Sequence, residues 1–581
     1  MKIMSERNLI KKTTSVCPEC LRILSAEIFE QNGMVMISKT CPKHGTFEDV
    51  YWSDYEMYKR AERFARDGKS PENPNVKKEN PVCPFDCGLC KLHKSHTALA
   101  NIAVTNRCDM HCWYCFYFAG KAGYVYEPSL GQIREMLRNL RNEKPVPCNA
   151  VQFTGGNPEL RDDLFEIIRI AKEEGFDHVQ LNTQGTVHLA HEPEYAEKLR
   201  EAGVNTIYLS FDGVTPKTNP KNHWEVPYIM ENCRKAGLGI VLVPTVIRGV
   251  NDHELGDILR FGFKHNDVIR SVNYQPVSLV GRMPRKERDK YRITIPDVLK
   301  ALEEQTDGQV LPEDFYTIPS IIPVTDFVEA LTKKPEYTLS SHFACGVGTY
   351  IFDVDGKMLP ITRFVDVEGL LEYLKEQAQE IKSGKNKYIT ILRMMFKIKS
   401  FIDKEKQPKG FNIARILYKA LVKHDYNALG AFHYKSLFVG MMHFMDLYNY
   451  DIERVKRCCI HYAMPGRKIV PFCTYNVMPQ LYRDKSQEQY SMSFEEYKEK
   501  TGRDVKNDVY KRDVKKLEST DIYRKTYEGF LPQKPVGKTT TAKGGVKSSR
   551  KSGAKKRGRT KTRKAKKVGK AKWRKKTRKA K

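Results

Sequence analysis

Residues 106–117 read NRCDMHCWYCFY, and this stretch decides how the remainder of the chain is interpreted. Cys108, Cys112 and Cys115 supply three thiolates at Cys-x3-Cys-x2-Cys spacing, whereas a closed [4Fe–4S] cluster uses four protein ligands. A cluster held by this loop would therefore keep one iron free for another ligand. Zinc is the alternative, but zinc fills its fourth position with another ligand, and no cysteine or histidine follows at zinc-ribbon spacing. The loop thus favours an iron–sulfur cluster with an open iron.

The same spacing, with Tyr114 just before the last cysteine, resembles the radical S-adenosylmethionine (SAM) superfamily. The resemblance implies that SAM chelates the open iron through its amino and carboxylate groups. It also implies that one electron breaks the sulfonium bond and releases a 5′-deoxyadenosyl radical. Because that radical abstracts the hydrogen, the protein mainly positions the reactants, and no acid or base is predicted to be catalytic.

A second signal is TGGNPE at 154–159, where this superfamily carries a GGE-type turn. Paired glycines allow a backbone to approach a bound ligand closely, and we expect the strand-end amides to hold the amino group of SAM. Asparagine replaces the usual glutamate but keeps an acceptor oxygen. The predicted SAM contacts in this turn are Gly155, Gly156, Asn157, Pro158 and Glu159.

Between residues 98 and 280, β-rich runs alternate with helical ones, which predicts a parallel sheet with right-handed crossovers. Six such units predict an α/β fold, a partial (β/α)6 TIM-like barrel of the radical SAM type, with its chemistry at the C-terminal strand ends. The predicted strands are ALANIAVT, NAVQFT, HVQLNT, NTIYLSFD, GIVLVPTVI and SVNYQPV. Polar residues after the later strands are predicted to face SAM or substrate, although each is equally typical of a loop or cap: Asn182, Thr183, Ser210, Asp212, Arg248 and Asn251.

The N-terminal region carries a separate metal motif. CPEC at 17–20 and CPKHG at 41–45 flank a predicted hairpin. Cys17, Cys20, Cys41 and His44 form the ligand set of a tetrahedral metal knuckle, which needs its metal to fold. One mononuclear iron or zinc is expected, and both a rubredoxin-like electron relay and a purely structural role stay open.

The remaining cysteines divide into two kinds. A further six are predicted to hold one or two auxiliary [4Fe–4S] clusters, with His93 or His96 able to complete a ligand set: Cys83, Cys87, Cys90, Cys345, Cys458 and Cys473. Cys148, Cys233 and Cys459 have no evident partners and are interpreted as small buried hydrophobic residues. Fifteen cysteines in one chain are more typical of metal binding than of disulfides in a reducing compartment.

The net charge of +30 is concentrated at the C-terminus. Residues 537–581 contain 22 Lys or Arg and no Asp or Glu, so 30 − 22 leaves +8 for residues 1–536. A basic tail with few apolar residues is predicted to be disordered and to bind nucleic acid or anionic lipid headgroups, or nothing. No run of eighteen apolar residues and no secretory signal precede it, which predicts a cytoplasmic protein.

These motifs predict five segments. They are a metal-knuckle domain with linker at 1–80, an auxiliary-cluster segment at 81–97, the barrel at 98–280, an α+β auxiliary-cluster and substrate region at 281–530, and the tail at 531–581.

Taken in order, the motifs resemble the archaeal radical SAM family that includes tetraether lipid synthase. The resemblance rests on CPEC…CPKHG with YWSDYEMY, CPFDCGLC, NRCDMHCWYC with TGGNPE, CGVGTYIFDVDGK and MMHFMDLYNYDIERVKRC…PFC. It implies coupling of terminal methyl carbons of isoprenoid lipid chains to form tetraether or macrocyclic diether lipids. It also implies several [4Fe–4S] clusters, a rubredoxin-like site and a low-potential electron donor such as a ferredoxin. The alternative within the superfamily is a radical methylase of a methanopterin precursor, and the alternative of another class is a nucleic-acid-binding protein built on the knuckle and the tail.

Residues 384–424 bear on that choice because they place apolar stripes beside Lys and Arg. One stripe contains Ile391, Leu392, Met395, Ile398 and Ile402. This composition is typical of helices lying on an anionic membrane surface, and it favours a lipid substrate and peripheral attachment to the cytoplasmic membrane face. Helices that cover an ordinary core have the same pattern, so both interpretations stay open.

Overall fold

The computed structural model describes residues 6–117, 119–120, 122–423, 432 and 435–531, and a 13-stranded sheet forms its centre. From residue 532 onward the predicted basic tail lies outside the described residues. The strands are β1 (Asn8–Val16), β2 (Ile23–Gln31), β3 (Met34–Cys41), β4 (Gly45–Trp52), β5 (Leu99–Thr105), β6 (Val125–Tyr126), β7 (Ala150–Gly155), β8 (His178–Thr183), β9 (Thr206–Ser210), β10 (Gly239–Val243), β11 (Thr245–Val246), β12 (Ile269–Pro276), β13 (Tyr316–Thr317), β14 (Gly346–Val354), β15 (Lys357–Pro360), β16 (Ser436–Met442), β17 (Ile460–Met464), β18 (Lys468–Pro471) and β19 (Ser491–Met492).

The six predicted strands form the middle of this sheet. They run in the order β5-β7-β8-β9-β10-β12, and every neighbouring pair is parallel. Strand β5 is buried at six of its seven positions, as expected of a parallel strand covered on both faces. The predicted alternation of strand and crossover helix is therefore confirmed.

Two further parallel strands extend the sheet from far along the chain. Strand β16 pairs with β12, and β17 pairs with β5. Antiparallel strands then cap both edges, with β14 and β13 beyond β16, and β18 beyond β17. The sheet therefore ends at β13 on one side and at β18 on the other. Among the described residues, these two edge strands are not hydrogen-bonded to each other, so the sheet is not closed into a barrel.

Amphipathic helices lie between the strands. They are α1 (Tyr55–Glu62), α2 (Leu130–Arg141), α3 (Leu164–Glu173), α4 (Pro193–Ala202), α5 (Val226–Ala236), α6 (Leu255–Lys264), α7 (Arg288–Tyr291), α8 (Ile295–Gln305), α9 (Ile322–Thr332), α10 (Val367–Lys382), α11 (Lys387–Lys397) and α12 (Ile413–Lys423). Shorter helices span Ile452–Lys456, Phe472–Val477, Arg483–Gln489, Phe494–Thr501, Val514–Glu518 and Asp521–Thr526. Within the described part of the chain, no helix is both long enough and apolar enough to cross a bilayer.

Strands β1–β4 form a separate antiparallel sheet at the N-terminus. A buried ion network joins this sheet to the remainder of the protein. Arg292 donates to Asp49 on β4 (Nη2–Oδ2, 2.8 Å) and to Asp446 after β16 (Nη1–Oδ2, 2.5 Å), and all three side chains are buried. Since an unpaired buried charge is costly, this network holds the N-terminal sheet against the rest of the fold.

Candidate active site and metal centres

Cys108, Cys112 and Cys115 line one cavity at the carboxyl ends of the parallel strands. Each neighbouring strand contributes its last residues or those just after it to the same cavity: Thr154, Gly155, Asn182, Ser210, Thr245 and Gln275. The topology explains this convergence because the carboxyl ends of parallel strands all meet at one edge of the sheet.

The cysteine loop is held by a second loop that follows β12. The N–H of Arg282 donates to the carbonyl of Cys115 (3.1 Å), and its guanidinium donates to the carbonyls of Cys112 and Ala119. Gly281 approaches so closely that a Cβ there would lie 2.4 Å from the Cys115 carbonyl. The loop is therefore positioned before any cofactor binds.

The three thiols fit an iron–sulfur cluster better than a single ion. Burial raises the pKa of Cys112 to about 11 and that of Cys108 well above its ordinary value. Ligation must therefore displace protons from these thiols. Among the described residues, only the N-terminal knuckle brings at least three ligand atoms of Cys, His, Asp or Glu all within 4.8 Å of one another. The loop thiols are thus spread wider than one tetrahedral ion requires.

The turn at 154–159 packs against the cysteine loop. The N–H groups of Gly156 and Asn157 donate to the carbonyls of Thr105 and Arg107 (2.8 Å each). A Cβ on Gly156 would lie 1.8 Å from the Arg107 carbonyl oxygen. Contrary to the expectation from sequence, these two amides are occupied by the protein, and the glycine allows close approach of the cysteine loop. Gly155 and Gly156 nevertheless line the cavity.

Asn157, Pro158 and Glu159 lie behind the cavity wall, where all three are buried. The Asn157 amide donates to Asp109 in the cysteine loop (2.8 Å) and accepts from Thr183 (2.9 Å). Glu159 accepts from the N–H groups of His188 (2.8 Å) and Leu189 (3.2 Å). Their polar groups already have protein partners and connect loops, and their predicted contacts with SAM stay a prediction.

Asn182 and Thr183, the next two predicted residues, point to opposite sides of the sheet because side chains alternate along a strand. Asn182 faces the cavity, whereas Thr183 points to the opposite side and accepts from the N–H of Gly185 (2.9 Å). Gln184 returns to the cavity side and places its amide nitrogen 3.7 Å from the Cys108 sulfur. Sequence reasoning missed Gln184, although the same alternation identifies it once the strand is known.

Ser210 lines the cavity, while Asp212 lies just behind it and positions a lysine. Asp212 Oδ2 accepts from Lys221 Nζ (2.7 Å) and from the Tyr114 hydroxyl, and Oδ1 accepts from the N–H of Thr245 (2.9 Å). Burial opposes the charge of Lys221, but the Asp212 carboxylate and the nearby Cys112 raise its pKa above the ordinary value. Lys221 belongs to no recognisable motif, so the sequence carried no signal for it.

The two predicted residues after β11 lie away from the cavity wall. Arg248 is half-exposed and pairs with Asp297 (3.2 Å). Asn251 is buried and braces its own loop, donating to the carbonyls of Asp212 (2.8 Å) and Thr245 (2.9 Å). Neither is among the residues that line the cavity, and their predicted contact with SAM stays a prediction.

Another part of the cavity wall is largely apolar. It comes from the regions after β16 and β18 and contains Phe444, Met445, Phe472, Cys473 and Val477. The Phe444 and Phe472 rings stack with centroids 4.2 Å apart. Cys473, predicted as an auxiliary-cluster ligand, thereby reaches the same cavity as the three-cysteine loop.

The six auxiliary cysteines fall into two groups of three. The Cys83 and Cys87 thiols hydrogen-bond each other, and the charge of Cys90 bears on Cys87. Burial raises the pKa of Cys458 well above its ordinary value, and the nearby charges of Cys473, Cys459 and Cys345 raise it further, so Cys459 lies near this second group as well. Arg454 donates to the Cys345 sulfur (3.5 Å). Thiolates in such groups suit iron–sulfur clusters.

The two histidines considered as extra ligands have other partners. His93 Nε2 lies 2.8 Å from the Cys458 carbonyl oxygen and 3.1 Å from His461 Nε2. His96 Nε2 accepts from the N–H of Thr338 (3.1 Å). His93 thus contacts the backbone of Cys458, itself a predicted ligand, and a ligand role for either histidine stays a prediction. Cys148, Cys233 and Cys459 are buried, as predicted.

The N-terminal knuckle has the geometry of a mononuclear tetrahedral site. Cys20 Sγ lies 3.9 Å from Cys41 Sγ, and His44 Nδ1 lies 3.4 Å from Cys17 Sγ and 3.5 Å from Cys41 Sγ. Metal–sulfur bonds of about 2.3 Å place tetrahedral ligands about 3.8 Å apart. Burial opposes ionisation of Cys41, but the Lys43 and His44 amides lower its pKa to about 6. The donor set therefore fits one zinc or iron ion.

Comparisons with known proteins agree with both sites. A family model described as the radical SAM superfamily matches residues 102–262. A second, described as the HMPTM N-terminal zinc ribbon domain, matches residues 9–53.

Individual relatives refine this picture. The chain is 49% identical over 498 residues to the 7,8-dihydro-6-hydroxymethylpterin dimethyltransferase of Methanocaldococcus jannaschii, covering 84% of this chain and 97% of that protein. It is 32% identical over 187 residues to the GTP 3′,8-cyclase of Aquifex aeolicus, covering 31% of this chain and 57% of that enzyme. The solved structure of anSMEcpe with bound AdoMet shares 15% identity and a TM-score of 0.30, covering 58% of this chain and 99% of that one.

These findings confirm a radical SAM enzyme that uses a [4Fe–4S] cluster and SAM, with a further metal site in the N-terminal ribbon. They favour the pterin alternative over the coupling of lipid chains, since the relative that is 49% identical is named for a pterin substrate. The chain belongs to the radical SAM superfamily and, within it, to the family of the Methanocaldococcus jannaschii 7,8-dihydro-6-hydroxymethylpterin dimethyltransferase.

Proposed function

We propose that this enzyme methylates a pterin precursor of the 7,8-dihydro-6-hydroxymethylpterin class. The observation that carries the proposal is 49% identity across 97% of a dimethyltransferase named for that substrate. The cavity is compatible with a flat heterocycle, since the polar Asn182, Ser210 and Gln275 and the stacked Phe444 and Phe472 all line it. Polar groups and aromatic faces are the usual elements of such a pocket.

When bound, the cluster and SAM supply a 5′-deoxyadenosyl radical that abstracts a hydrogen atom from carbon. The protein's own contribution is positional. Cys108, Cys112 and Cys115 present three thiolates from a loop already held by Arg282. Lys221 sets a cation on the cavity wall, where it matches the carboxylate of SAM. A low-potential electron donor is part of the proposal because the cleavage consumes one electron.

The second candidate is coupling of terminal methyl groups of isoprenoid lipid chains. The apolar wall formed by Met445, Phe472 and Val477 favours it, because a hydrocarbon chain needs no polar partner there. Cys473 on the same wall places a proposed auxiliary-cluster ligand within the cavity.

One experiment separates the two substrates. Anaerobically reconstituted full-length protein receives reductant, SAM and either 7,8-dihydro-6-hydroxymethylpterin or vesicles of archaeal diether lipid, and products are identified by mass spectrometry. We expect methylated pterin together with two products of SAM: 5′-deoxyadenosine and methionine from the radical step, and S-adenosylhomocysteine from the SAM that gives up its methyl group, since the mixture contains no other methyl donor. Lipid that has lost two hydrogens and gained a carbon–carbon bond, without any methylated pterin, would replace the first candidate by the second.

The cysteine loop is tested in the same assay. Cys112→Ala should abolish 5′-deoxyadenosine formation, whereas Cys148→Ala, at a buried cysteine outside the metal sites, should retain it. Equal loss in both variants would show a folding defect and not a lost ligand.

A further inference from the structure

Helix α11 exposes a set of large apolar side chains. Tyr388, Ile389, Leu392, Met395 and Phe396 are between 42% and 71% exposed. They make up five of the fourteen large hydrophobic residues exposed among the described residues, although α11 has only 11 residues. Exposed apolar side chains on an ordinary protein surface are scattered singly, whereas these five lie together on one helix. We call these five side chains the α11 apolar face.

The α11 apolar face is continuous around the helix. At about 100° per residue, its five side chains occupy an arc of about 120°. The opposite side contains Thr390 and Met394, which are buried, and the following Ile398 is buried as well. Met394 and Ile398 belong to the second hydrophobic core. Covering a core therefore explains one side of the helix and leaves the other side unexplained.

The stripe recognised in the sequence divides accordingly. Ile398 and Ile402 are buried, and Ile391 packs partly against the same core. Leu392 and Met395 are exposed. Helix α12 differs, because Ile413 and Leu421 are buried in that core. The exposed apolar surface is thus a property of α11.

The segment that contains this surface is rich in positive charge, although Arg393 also lies 3.8 Å from Glu380 of α10. Residues 382–423 contain 12 Lys or Arg and 2 Asp or Glu, so their net charge is 12 − 2 = +10. Since residues 1–536 together carry +8, this segment alone supplies the whole positive excess of the chain before its tail. Arg393 and Lys397, both exposed, follow the α11 apolar face around the helix.

We propose that the α11 apolar face docks on the surface of an anionic lipid bilayer, with Arg393 and Lys397 at the level of the headgroups. Apolar side chains at the acyl boundary with cations beside them are the features of an interfacial helix. Anionic headgroups complement the +10 segment. Docking requires no spanning helix and is independent of which substrate the cavity accepts, so it goes beyond the proposed function.

Flotation of the full-length protein with vesicles tests the docking. Vesicles of phosphatidylglycerol and phosphatidylcholine in equal parts are compared with phosphatidylcholine alone. We expect binding to the anionic vesicles, and at least a tenfold lower partition coefficient for the double variant Leu392→Glu, Phe396→Glu. The matched control is Phe494→Glu, Val509→Glu, which adds the same charge at exposed apolar sites outside α11 and should bind as the wild type does.

Insertion of the helix is measured separately. Phe396→Trp should shift its emission to the blue on binding anionic vesicles and be quenched by brominated acyl chains. Phe494→Trp should show neither change. Because both side chains are exposed, these variants should melt at the wild-type temperature.

Three results would overturn the docking. Wild-type binding by the double α11 variant would assign any vesicle binding to the basic tail. Blue-shifted, unquenched emission of Phe396→Trp without vesicles would mean that another segment of this chain covers the helix. Self-association that the double α11 variant abolishes would mean that a second copy covers it.

Discussion

Lys221 Nζ lies 2.7 Å from Asp212 Oδ2 in the wall of the SAM cavity, and both side chains are buried. Strand β9 ends two residues before Asp212, whereas Lys221 comes from the loop between β9 and α5. The carboxylate holds the ammonium group beside the cysteine loop, and Lys221 lines the same cavity as the three loop cysteines.

Lys221→Met should weaken SAM binding at least about tenfold, or about 1.4 kcal/mol, because the variant removes a cation from the cavity wall. Equilibrium binding of labelled SAM to reconstituted protein measures this loss. Lys217→Met, in an exposed part of the same loop, should bind as the wild type does. Equal affinity in both variants would exclude Lys221 from SAM binding.

Gly156→Ala should prevent the cysteine loop from packing, since its Cβ would lie 1.8 Å from the Arg107 carbonyl oxygen. We expect a loss of bound iron and about 2 kcal/mol or more of destabilisation. Iron analysis and thermal melting measure the two effects. Gly131→Ala, whose nearest neighbour would be 3.8 Å away at the start of α2, should be tolerated. Full iron content in Gly156→Ala would contradict the packing.

Cys20→Ser should remove one mononuclear metal ion and leave acid-labile sulfide unchanged. Cys20 contributes one corner of the tetrahedral site, 3.9 Å from Cys41. Metal and sulfide analysis of the same sample distinguishes an ion from a cluster. Cys233→Ala, at a buried cysteine of α5, should change neither quantity. Loss of acid-labile sulfide from Cys20→Ser would indicate that the N-terminal ribbon binds an iron–sulfur cluster and not a single ion.

Glu143 should make stability depend on pH. Burial raises its pKa to about 7 from the ordinary 4.5, despite hydrogen bonds from Thr97. Because the pKa of Glu143 is higher in the folded than in the unfolded state, the protonated carboxyl contributes to stability. This contribution is complete below about pH 4.5 and is lost as the pH rises to about 7. Relative to Glu143→Gln, the wild type should therefore lose at most about 3 kcal/mol across this window. Thermal melts from pH 5 to 8 measure the difference, and the exposed control Glu166→Gln should follow the wild type. If the melting temperatures of wild type and Glu143→Gln changed with pH in parallel, a role for Glu143 in the pH dependence would be contradicted.

Arg292→Met should destabilise the protein by about 3–5 kcal/mol because it leaves two buried carboxylates unpaired. Asp49 and Asp446 come from the N-terminal sheet and from the region after β16, so melting and limited proteolysis should both detect the weakened attachment. Adding Asp49→Asn and Asp446→Asn should restore part of the loss. Arg288→Met, whose side chain is partly exposed 3.6 Å from Asp49, is the control. A loss below about 1 kcal/mol would contradict a structural role for the network.

Local pattern predicted the central strands well. The six runs between residues 98 and 280 were identified because β-rich runs alternate there with helical ones. The Asp355-Gly356 pair between β14 and β15 is also a turn signal that local sequence carries, and both residues have the positive φ angles that such a turn requires. Strands β16 and β17 were not predicted as members of this sheet, since pairing across more than 150 residues leaves no local signature.

The candidate site was predicted unevenly for a related reason. Asn182 and Ser210 reach the cavity, whereas Asn157, Glu159 and Asn251 are consumed by internal hydrogen bonds. A polar residue at a strand end can either line a binding cavity or hydrogen-bond to a neighbouring loop. Which of these it does depends on the residues around it in the folded protein, and these are not evident from the local sequence.

The sequence by itself determined the chemistry, because cysteine spacing within a short loop sets how many thiolates can meet one cluster. The four metal ligands of the N-terminal ribbon could also be predicted from the sequence, because two short turns carry all of them. Only the tertiary structure decided that Lys221 and Cys473 share a cavity with that loop, and that α11 presents apolar side chains outward. Burial and direction depend on contacts between residues that are distant in the chain, and no local pattern encodes those contacts.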